Sequence, residues 1–439
     1  MIQAKNVHII GLGGIGTSAV ARLFLEQGAK VSGSDMHVNS IIEDLKREGV
    51  DFRLGHFAEN IPRECDLVIY SRAIPATCVE RQVASEQGIT EMSYPEFLGE
   101  IAKTKKTIAV SGTNGKSTTT AMIASILIEA GLDPLVIVGT QVPGWPKHNL
   151  YAGKGEWFVV EACEHLASFL NIKPDIAVIT NITEDHLDYY RDLDHICETF
   201  NKWLQGVKPG GVCVVNAGHD HCELQTTAEM IKFEVQDRKV EKTGQKFIVE
   251  DEVYDLLIPG EFNAENGAAA IMTAKHIGVS SEVCAQALKN FKGTWRRFER
   301  VGLWKGADIY SDYAHHPDAI EGTIEAFKEA FPKRRLLVVF EPHQRSRTKE
   351  LFEEFVGAFD GVDELVMAEI YEVEGRNESD DISSQQLVDR IKDRDVIENV
   401  FFASDYNAIE DYLRDHIRPG DLLIFMGAGT IDNIARKLV

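Results

Sequence analysis

Short apolar runs alternate along this chain with glycine-rich turns and with stretches whose apolar positions repeat at helical spacing. The pattern is cleanest at 107–131. Residues 107–111 predict a buried strand, 112–118 a glycine-rich loop, and 118–130 a helix carrying Met122, Ile123, Ile126 and Leu127 at helical spacing. Gly131 supplies the stop. The chain opens in the same order: a strand at 7–10, a glycine-rich turn at 11–16, a helix to about Gln27 ended by Gly28, and a stretch at 30–34 leading to Asp35. Further strands are predicted at 67–70, 157–160, 176–180, 210–215, 336–340 and 422–425, with another ending at Ser311 and an Ala-rich helix from Gly267. Strands that alternate with helices in this way predict open α/β sheets.

The chain has 439 residues, room for about three domains at roughly 150 residues each. The pattern divides it at 1–103, 104–294 and 295–439. The expected architecture is a Rossmann-like first domain, a central phosphate-loop ATPase domain and a Rossmann-like α/β third domain. The charged stretch 100–106 is the expected linker between the first two. The net charge of −23 argues against nucleic acid or an anionic membrane as partner. An anionic ligand must then be held by local loops and a few cations. No charged-then-apolar leader opens the chain and no run is long enough to span a membrane, so a cytoplasmic protein is expected. The seven cysteines, Cys65, Cys78, Cys163, Cys197, Cys213, Cys222 and Cys284, form no C-x-x-C pair, and reduced thiols are expected.

Chemistry gathers where strands end. Gly112, Thr113, Asn114, Gly115, Lys116, Ser117 and Thr118 make a short phosphate loop, although Val110 stands where the full pattern has its first glycine. Its glycines let successive N–H groups point inward, and the helix start adds positive potential. Lys116 would reach the β- and γ-phosphates and the Ser117 hydroxyl would bind Mg²⁺. Gly11, Gly13, Gly14, Ile15 and Gly16, with Asp35 about twenty residues on, form a diphosphate-binding start. The diphosphate could belong to NAD or to a nucleotide sugar. Ser71 follows another strand end. Glu161 and His186 lie at two more and are candidate metal ligands, His186 being equally well explained as a helix-start histidine bonded to backbone. Asn263 and Asn266 share a helix face and would read a base edge, cap the helix, or both. The His219, Asp220 and His221 cluster is too compact for one tetrahedral zinc and is taken as a polar loop. The acidic stretch 372–381 is taken as solvent-facing surface. In the third sheet, the residues after 311, 340 and 425 are polar and favour a site.

Together these residues resemble the Mur ligases, the ATP-dependent amide-forming enzymes of peptidoglycan synthesis. The resemblance runs through G-x-G-G-x-G at 11–16, S-G-S-D at 32–35, G-T-N-G-K-S-T at 112–118, E-A-C-E at 161–164 and T-N-I-x-x-D-H at 180–186. It continues through N-x-x-N at 263–266, R-R-F at 296–298 and D-Y-A-H-H-P at 312–317. Within the family, F-E-P-H-Q-R-S-R-T at 340–348 points to the branch that adds L-alanine to UDP-N-acetylmuramate. His343 and Arg347 favour it over the branch that recycles a whole tripeptide. Departures from the usual pattern stand at Cys163, Phe262 and Asn114.

The resemblance implies that the lactyl carboxylate of UDP-N-acetylmuramate attacks the ATP γ-phosphate and that the amine then attacks the acyl phosphate. It implies a catalytic set of Lys116, Glu161, His186, Arg297 and His315. One Mg²⁺ would sit on Ser117 and Glu161, and His186 would hold a second. Gly112 to Thr118, Asn263, Asn266, Arg297 and Asp312 would hold ATP. Gly11, Gly13, Gly14, Ile15, Gly16, Ser34, Asp35 and Ser71 would hold the UDP-sugar, and His315, His343 and Arg347 the amino acid. The last domain would have to close on the centre for these groups to act together. Phe200 stands where several relatives carry a carbamylated lysine, with Lys202 two residues on, so no such modification is expected. A monomer or weak homodimer is expected. Two readings from other classes remain: an NAD-dependent oxidoreductase, which leaves the second loop without a role, and a nucleotide-binding regulator without chemistry.

Overall fold

The computed structural model describes residues 2–187, 189–218, 222–241, 243–372 and 381–439. His219, Asp220, His221 and nearly all of the acidic stretch 372–381 lie outside the described residues. The chain forms two compact units, Met1–Glu234 with Asn266–Ala287, and Val235–Glu265 with Leu288–Val439.

The first unit holds two sheets. Strands β1 (Asn6–Ile10), β2 (Lys30–Asp35), β3 (Asp51–Leu54), β4 (Leu67–Tyr70) and β5 (Thr90–Ser93) pair in the order β3-β2-β1-β4-β5, all parallel. Helices α1 (Ile15–Glu26), α2 (Ser40–Glu48), α3 (Val79–Glu86) and α4 (Tyr94–Ala102) connect them. Chain order reverses between β1 and β4, and ligand crevices open outside strand C-terminal ends at such a point. The turn 11–16 lies there. The second sheet comprises β6 (Lys106–Ser111), β7 (Leu135–Ile137), β8 (Leu150–Ala152), β9 (Trp157–Glu161), β10 (Ile176–Ile179), β11 (Val212–Asn216) and β12 (Glu229–Phe233). Its order is β12-β11-β10-β6-β9-β7-β8, parallel except for β8. Helix α5 (Lys116–Glu129) follows β6, and α6 (Leu193–Leu204) precedes β11. Ile108, Ala109, Val110, Phe158, Val159 and Val160 are wholly buried, as parallel strands covered on both faces require.

The expected linker at 100–106 shrinks to residues 103–105, between α4 and β6. Helix α4 runs to Ala102, and Phe97, Leu98 and Ile101 join the buried cluster that includes Phe169 and Phe200. The apolar face of α4 outweighs the charges that suggested a loop. The expectation of reduced thiols is also corrected. Cys197 on α6 and Cys222 form a disulfide with Cα atoms 5.6 Å apart; the other five cysteines form none. Their separation along the chain hid a neighbourhood that only the packing of α6 creates. Phe200 is core, 5.0 Å from the Phe169 ring, and Lys202 is exposed.

The second unit contains an antiparallel sheet, β13 (Arg238–Val240), β14 (Gln245–Val249) and β15 (Glu252–Leu256), which the apolar runs did not reveal. Buried and half-buried side chains alternate along β14, the signature of a sheet covered on one face. Helix α7 (Glu261–His276) begins well before the expected Gly267. Asn263 is therefore inside the helix rather than its cap, and its Nδ2 donates to the Pro259 carbonyl at 2.7 Å. After α8 (Ser281–Asn290), strands β16 (Glu299–Trp304), β17 (Ala307–Asp312), β18 (Leu336–Phe340), β19 (Glu364–Ala368), β20 (Asn399–Ala403) and β21 (Leu422–Met426) form a sheet ordered β16-β17-β21-β18-β19-β20. Only β16 runs antiparallel.

One buried hub shapes the first sheet. Glu80 on α3 is fully buried and accepts from Ser34 Oγ at 2.6 Å, Asn60 Nδ2 at 2.6 Å, the Phe57 N–H at 3.2 Å and His8 Nε2 at 3.3 Å. Burial alone would raise its pKa, but the bonds from His8, Ser34 and Asn60 outweigh it and hold the carboxylate down to about 2. Glu80→Ala should cost roughly 3 kcal/mol, because it strands buried donors. A carboxylate held below its unfolded value adds stability above that value, 4.5 here, and loses it as pH falls towards about 2. The stability gap between wild type and Glu80→Gln, measured by denaturant unfolding, should therefore be full at pH 7 and shrink below about pH 4.5.

Candidate active site

The phosphate loop joins β6 to α5, and the two strands flanking β6 deliver its neighbours. Two glycines are required there. Gly112 has φ +135° and a Cβ on it would lie 2.1 Å from Thr180 Oγ1; Gly115 has φ +84° and a Cβ would lie 2.2 Å from Asn266 Oδ1. The segment after β10 straps the loop down. The Thr113 N–H donates to the Asn181 carbonyl at 2.9 Å, the Asn114 N–H to Asn181 Oδ1 at 2.9 Å, and Thr180 Oγ1 to the Asn114 carbonyl at 2.6 Å. Thr113 Oγ1 also accepts from the Thr183 N–H. With Thr113 and Asn114 N–H engaged, the donors left to receive an anion are those of the first turn of α5, which have no helical acceptor.

Lys116 folds back over this loop. Its Nζ donates to the Gly112 carbonyl at 2.6 Å, the Thr113 carbonyl at 3.0 Å and Glu164 Oε1 at 2.9 Å. Burial opposes its charge, but the attraction of Glu164, with Cys163 and Glu161 behind it, prevails and raises its pKa. Burial likewise opposes the charge on Glu164, yet Lys116 and His186 keep its carboxyl below the usual range. Glu164 is the residue that sequence reasoning missed. The second acidic position of E-A-C-E was quoted but given no role, although it lies three residues past Glu161.

Ser117 Oγ donates to Glu161 Oε2 at 2.7 Å, and the Gly139 N–H donates to the same oxygen at 2.9 Å. His186 is not a helix-start residue: its φ is +54°, its Nε2 lies 3.6 Å from Glu164 Oε1, and its ring lies 4.5 Å from that of His165. Among the described residues no three His, Cys, Asp or Glu side chains form a metal cage. The hydroxyl and carboxylate of Ser117 and Glu161 are nevertheless the hard oxygen donors that Mg²⁺ takes, and Mg²⁺ usually completes its shell with water and phosphate. Asn266 Oδ1 accepts from Thr119 Oγ1 at 3.0 Å, which ties α7 to α5.

In the first sheet, the Gly13 N–H donates to Asp35 Oδ2 at 2.8 Å and Asn39 Nδ2 donates to the Gly13 carbonyl at 3.1 Å. Asp35 thus fixes the turn. A Cβ on Gly11, at φ +81°, would lie 2.9 Å from Ser71 Cβ, so Ser71 borders the same crevice. Ser34 is turned inward to Glu80.

In the second unit, Asp312 at the end of β17 accepts the Phe298 N–H at 2.7 Å and the Ala314 N–H at 2.8 Å. Burial raises its pKa against these bonds and against Arg297 and Arg296. Arg296 donates to the carbonyls of Gly427 and Gly429, so it braces the loop after β21, while the Arg297 guanidinium lies 4.7 Å from the Tyr313 ring. His315 Nδ1 bonds the Tyr313 carbonyl at 2.9 Å, and the His315 and His343 rings are 5.9 Å apart. Arg347 lies on a short helix, Arg345–Glu350, just past His343. Strand ends of this sheet thus bring together His315 and His343.

The fold and this geometry define a class: a phosphate-loop α/β protein with a second glycine-rich turn on its own parallel sheet. Comparison with known proteins narrows it. Residues 6–106 match the Mur ligase family catalytic domain, 110–274 the Mur ligase middle domain and 296–429 the Mur ligase glutamate ligase domain. The chain is 38% identical to UDP-N-acetylmuramate–L-alanine ligase of Clostridium kluyveri, over 98% of this chain and 97% of that protein. It is 37% identical to the enzyme of the same name from Clostridium acetobutylicum, over 99% and 98%. Its structure is similar to UDP-N-acetylmuramate-alanine ligase from Thermotoga maritima, with TM-score 0.85, 26% identity and coverage of 99% and 98%. The chain belongs to the Mur ligase family.

Lys116→Ala removes the cation from the loop and should lower ATP-dependent turnover by at least about a hundredfold. Circular dichroism checks that the fold survives, and steady-state phosphate release reads the effect. Glu161→Ala and His186→Ala should each slow turnover and raise the Mg²⁺ concentration needed for half-maximal rate. Rate measured against Mg²⁺ for each variant checks this; an unchanged midpoint at normal rate would make both residues structural.

Proposed function

We propose that this protein joins L-alanine to the lactyl carboxylate of UDP-N-acetylmuramate at the expense of ATP, in cytoplasmic peptidoglycan precursor synthesis. The observation that carries this reading is the end-to-end likeness to alanine-adding ligases, 36–38% identical over nearly the whole chain. The geometry supports the chemistry. A carboxylate is a poor electrophile, and the reading has it attack the γ-phosphate in line to give an acyl phosphate. The amine of alanine then attacks the acyl carbon and inorganic phosphate leaves. Anions crowd together in such a reaction, so positioning and positive charge supply most of the rate.

Each residue has a physical task in this reading. Lys116, kept charged by Glu164, meets the β- and γ-phosphates on the loop braced by Thr180 and Asn181. Magnesium held by Ser117 and Glu161, and by His186, supplies further neutralising charge when bound. Asn263 and Asn266 take the adenine, Arg297 the phosphates and Asp312 the ribose. His315, His343 and Arg347 receive alanine, a guanidinium matching its carboxylate. The turn 11–16 with Asp35 and Ser71 takes the uridine diphosphate; Ser34, expected to share that task, is wholly buried against Glu80 and braces the strand end instead. The divisions 1–103, 104–294 and 295–439 then correspond to sugar nucleotide, ATP and amino acid.

The direct test is phosphate release from ATP with UDP-N-acetylmuramate and each amine in turn. L-alanine should give the highest kcat/KM. Release with the murein tripeptide alone would move the protein to the recycling branch, and nicotinamide reduction without ATP turnover would make it an oxidoreductase. The two glycine-rich turns should separate by ligand. A Cβ on Gly13 would press on Asn39 Nδ2 at 3.0 Å and Asp35 Oδ2 at 3.1 Å and crowd a diphosphate. Gly13→Val should weaken UDP-N-acetylmuramate binding at least tenfold and leave ATP affinity within twofold, by isothermal calorimetry; the reverse pattern would overturn the division.

A further inference from the structure

Tyr94 is the first residue of α4, and its position is fixed from three sides. Ser93 caps the helix through a reciprocal box: Glu96 Oε2 accepts the Ser93 N–H at 2.7 Å, and Ser93 Oγ accepts the Glu96 N–H. Ser93 also ends β5 opposite Tyr70 at the end of β4, so Tyr94 and Ser71 leave adjacent strands side by side. Further along the helix, Gly99 packs so closely on the Asn171 carbonyl that a Cβ there would lie 2.4 Å from it. The capping box and the Gly99 contact fix where this helix starts and how it lies.

That side chain lies against the first glycine-rich turn. A Cβ on Gly16 would be 2.5 Å from Tyr94 Cζ and 2.9 Å from its hydroxyl oxygen. The glycine therefore makes room for a phenol at the N-terminus of α1, on the β4 side of the switch point. Glu161, the last residue of β9 in the second sheet, acts electrostatically on the same hydroxyl. Tyr94 thus stands beside the turn that would hold a diphosphate, with Glu161 of the second sheet close enough to act on its hydroxyl. A sugar nucleotide seated on the first turn must extend past it to bring its carboxylate to a γ-phosphate on the second.

We infer that Tyr94 is a substrate-binding residue whose hydroxyl donates a hydrogen bond to the muramyl half of UDP-N-acetylmuramate and so aims the lactyl carboxylate at the phosphate loop. The inference rests on the proposed function. Burial first, then the negative charge of Glu161, raises the pKa of the phenol, so it remains a neutral donor throughout the working range. A neutral donor can orient an anionic substrate without adding another fixed charge between two phosphate sites.

Tyr94→Phe keeps the ring against Gly16 and removes only the donor. Calorimetry should show UDP-N-acetylmuramate binding about five- to tenfold weaker, with UDP and ATP affinities and the melting temperature unchanged. The KM for the sugar nucleotide should rise and that for ATP should not. Unchanged affinity for UDP-N-acetylmuramate would overturn the inference. An equal loss for UDP alone would also overturn it, because the hydroxyl would then serve the diphosphate or the turn itself. Wild-type protein that binds UDP but not UDP-N-acetylmuramate would instead remove the proposed function, and that measurement is made first.

Discussion

Lys116 keeps its charge in a largely water-excluded setting because the Glu164 carboxylate lies 2.9 Å away. A lone buried ammonium tends to lose its proton, and a lone buried carboxylate to gain one. Paired, each holds the other ionised. The pair stands where the loop after β6, the end of β9 and the segment after β10 converge. His186 approaches the same Glu164 oxygen from the third of these. A phosphate group entering the loop would find a lysine that is already charged, and at least one of its three bonds, to Gly112, Thr113 and Glu164, would be exchanged for a bond to the phosphate.

The loop around the pair is equally constrained. Its glycines sit where side chains would collide with Thr180 and Asn266. Bonds with Thr180 and Asn181 hold its backbone, and the Thr183 N–H holds the Thr113 side chain. These bonds take up the N–H groups of Thr113 and Asn114, which shifts anion-binding capacity towards Gly115 and the start of α5. The first sheet uses a related device with different parts. Asp35 and Asn39 brace the Gly13 turn, and the Glu80 hub braces the strand end that carries Ser34. Two rigid turns in one compact unit suit a reaction that must bring two anionic groups into register.

Much of this was legible in the amino-acid sequence because parallel strands buried on both faces read as uninterrupted apolar runs. Residues 67–70 and 336–340 coincide with β4 and β18 for that reason. Both glycine-rich turns announced themselves through backbone needs that few other residues meet. What stayed hidden depends on partners distant in the chain. Gln245–Val249 is too short and too mixed to stand out as a strand until its neighbours pair with it. The charges at 100–106 masked the apolar face of α4. Asp35 and Asp312 were taken as ligand-facing carboxylates, yet each is also tied to backbone N–H groups of its own fold. The pairing of Cys197 with Cys222 required the packing of α6.

The account turns on activation of a carboxylate by transfer of the γ-phosphoryl group, and isotope tracing tests that step most directly. UDP-N-acetylmuramate carrying ¹⁸O in its lactyl carboxylate would be turned over with unlabelled ATP and L-alanine. An acyl phosphate requires that one carboxylate oxygen leave with the phosphate. The account therefore predicts that ¹⁸O appears in inorganic phosphate in step with amide formation. Amide formation with no label in phosphate would contradict it.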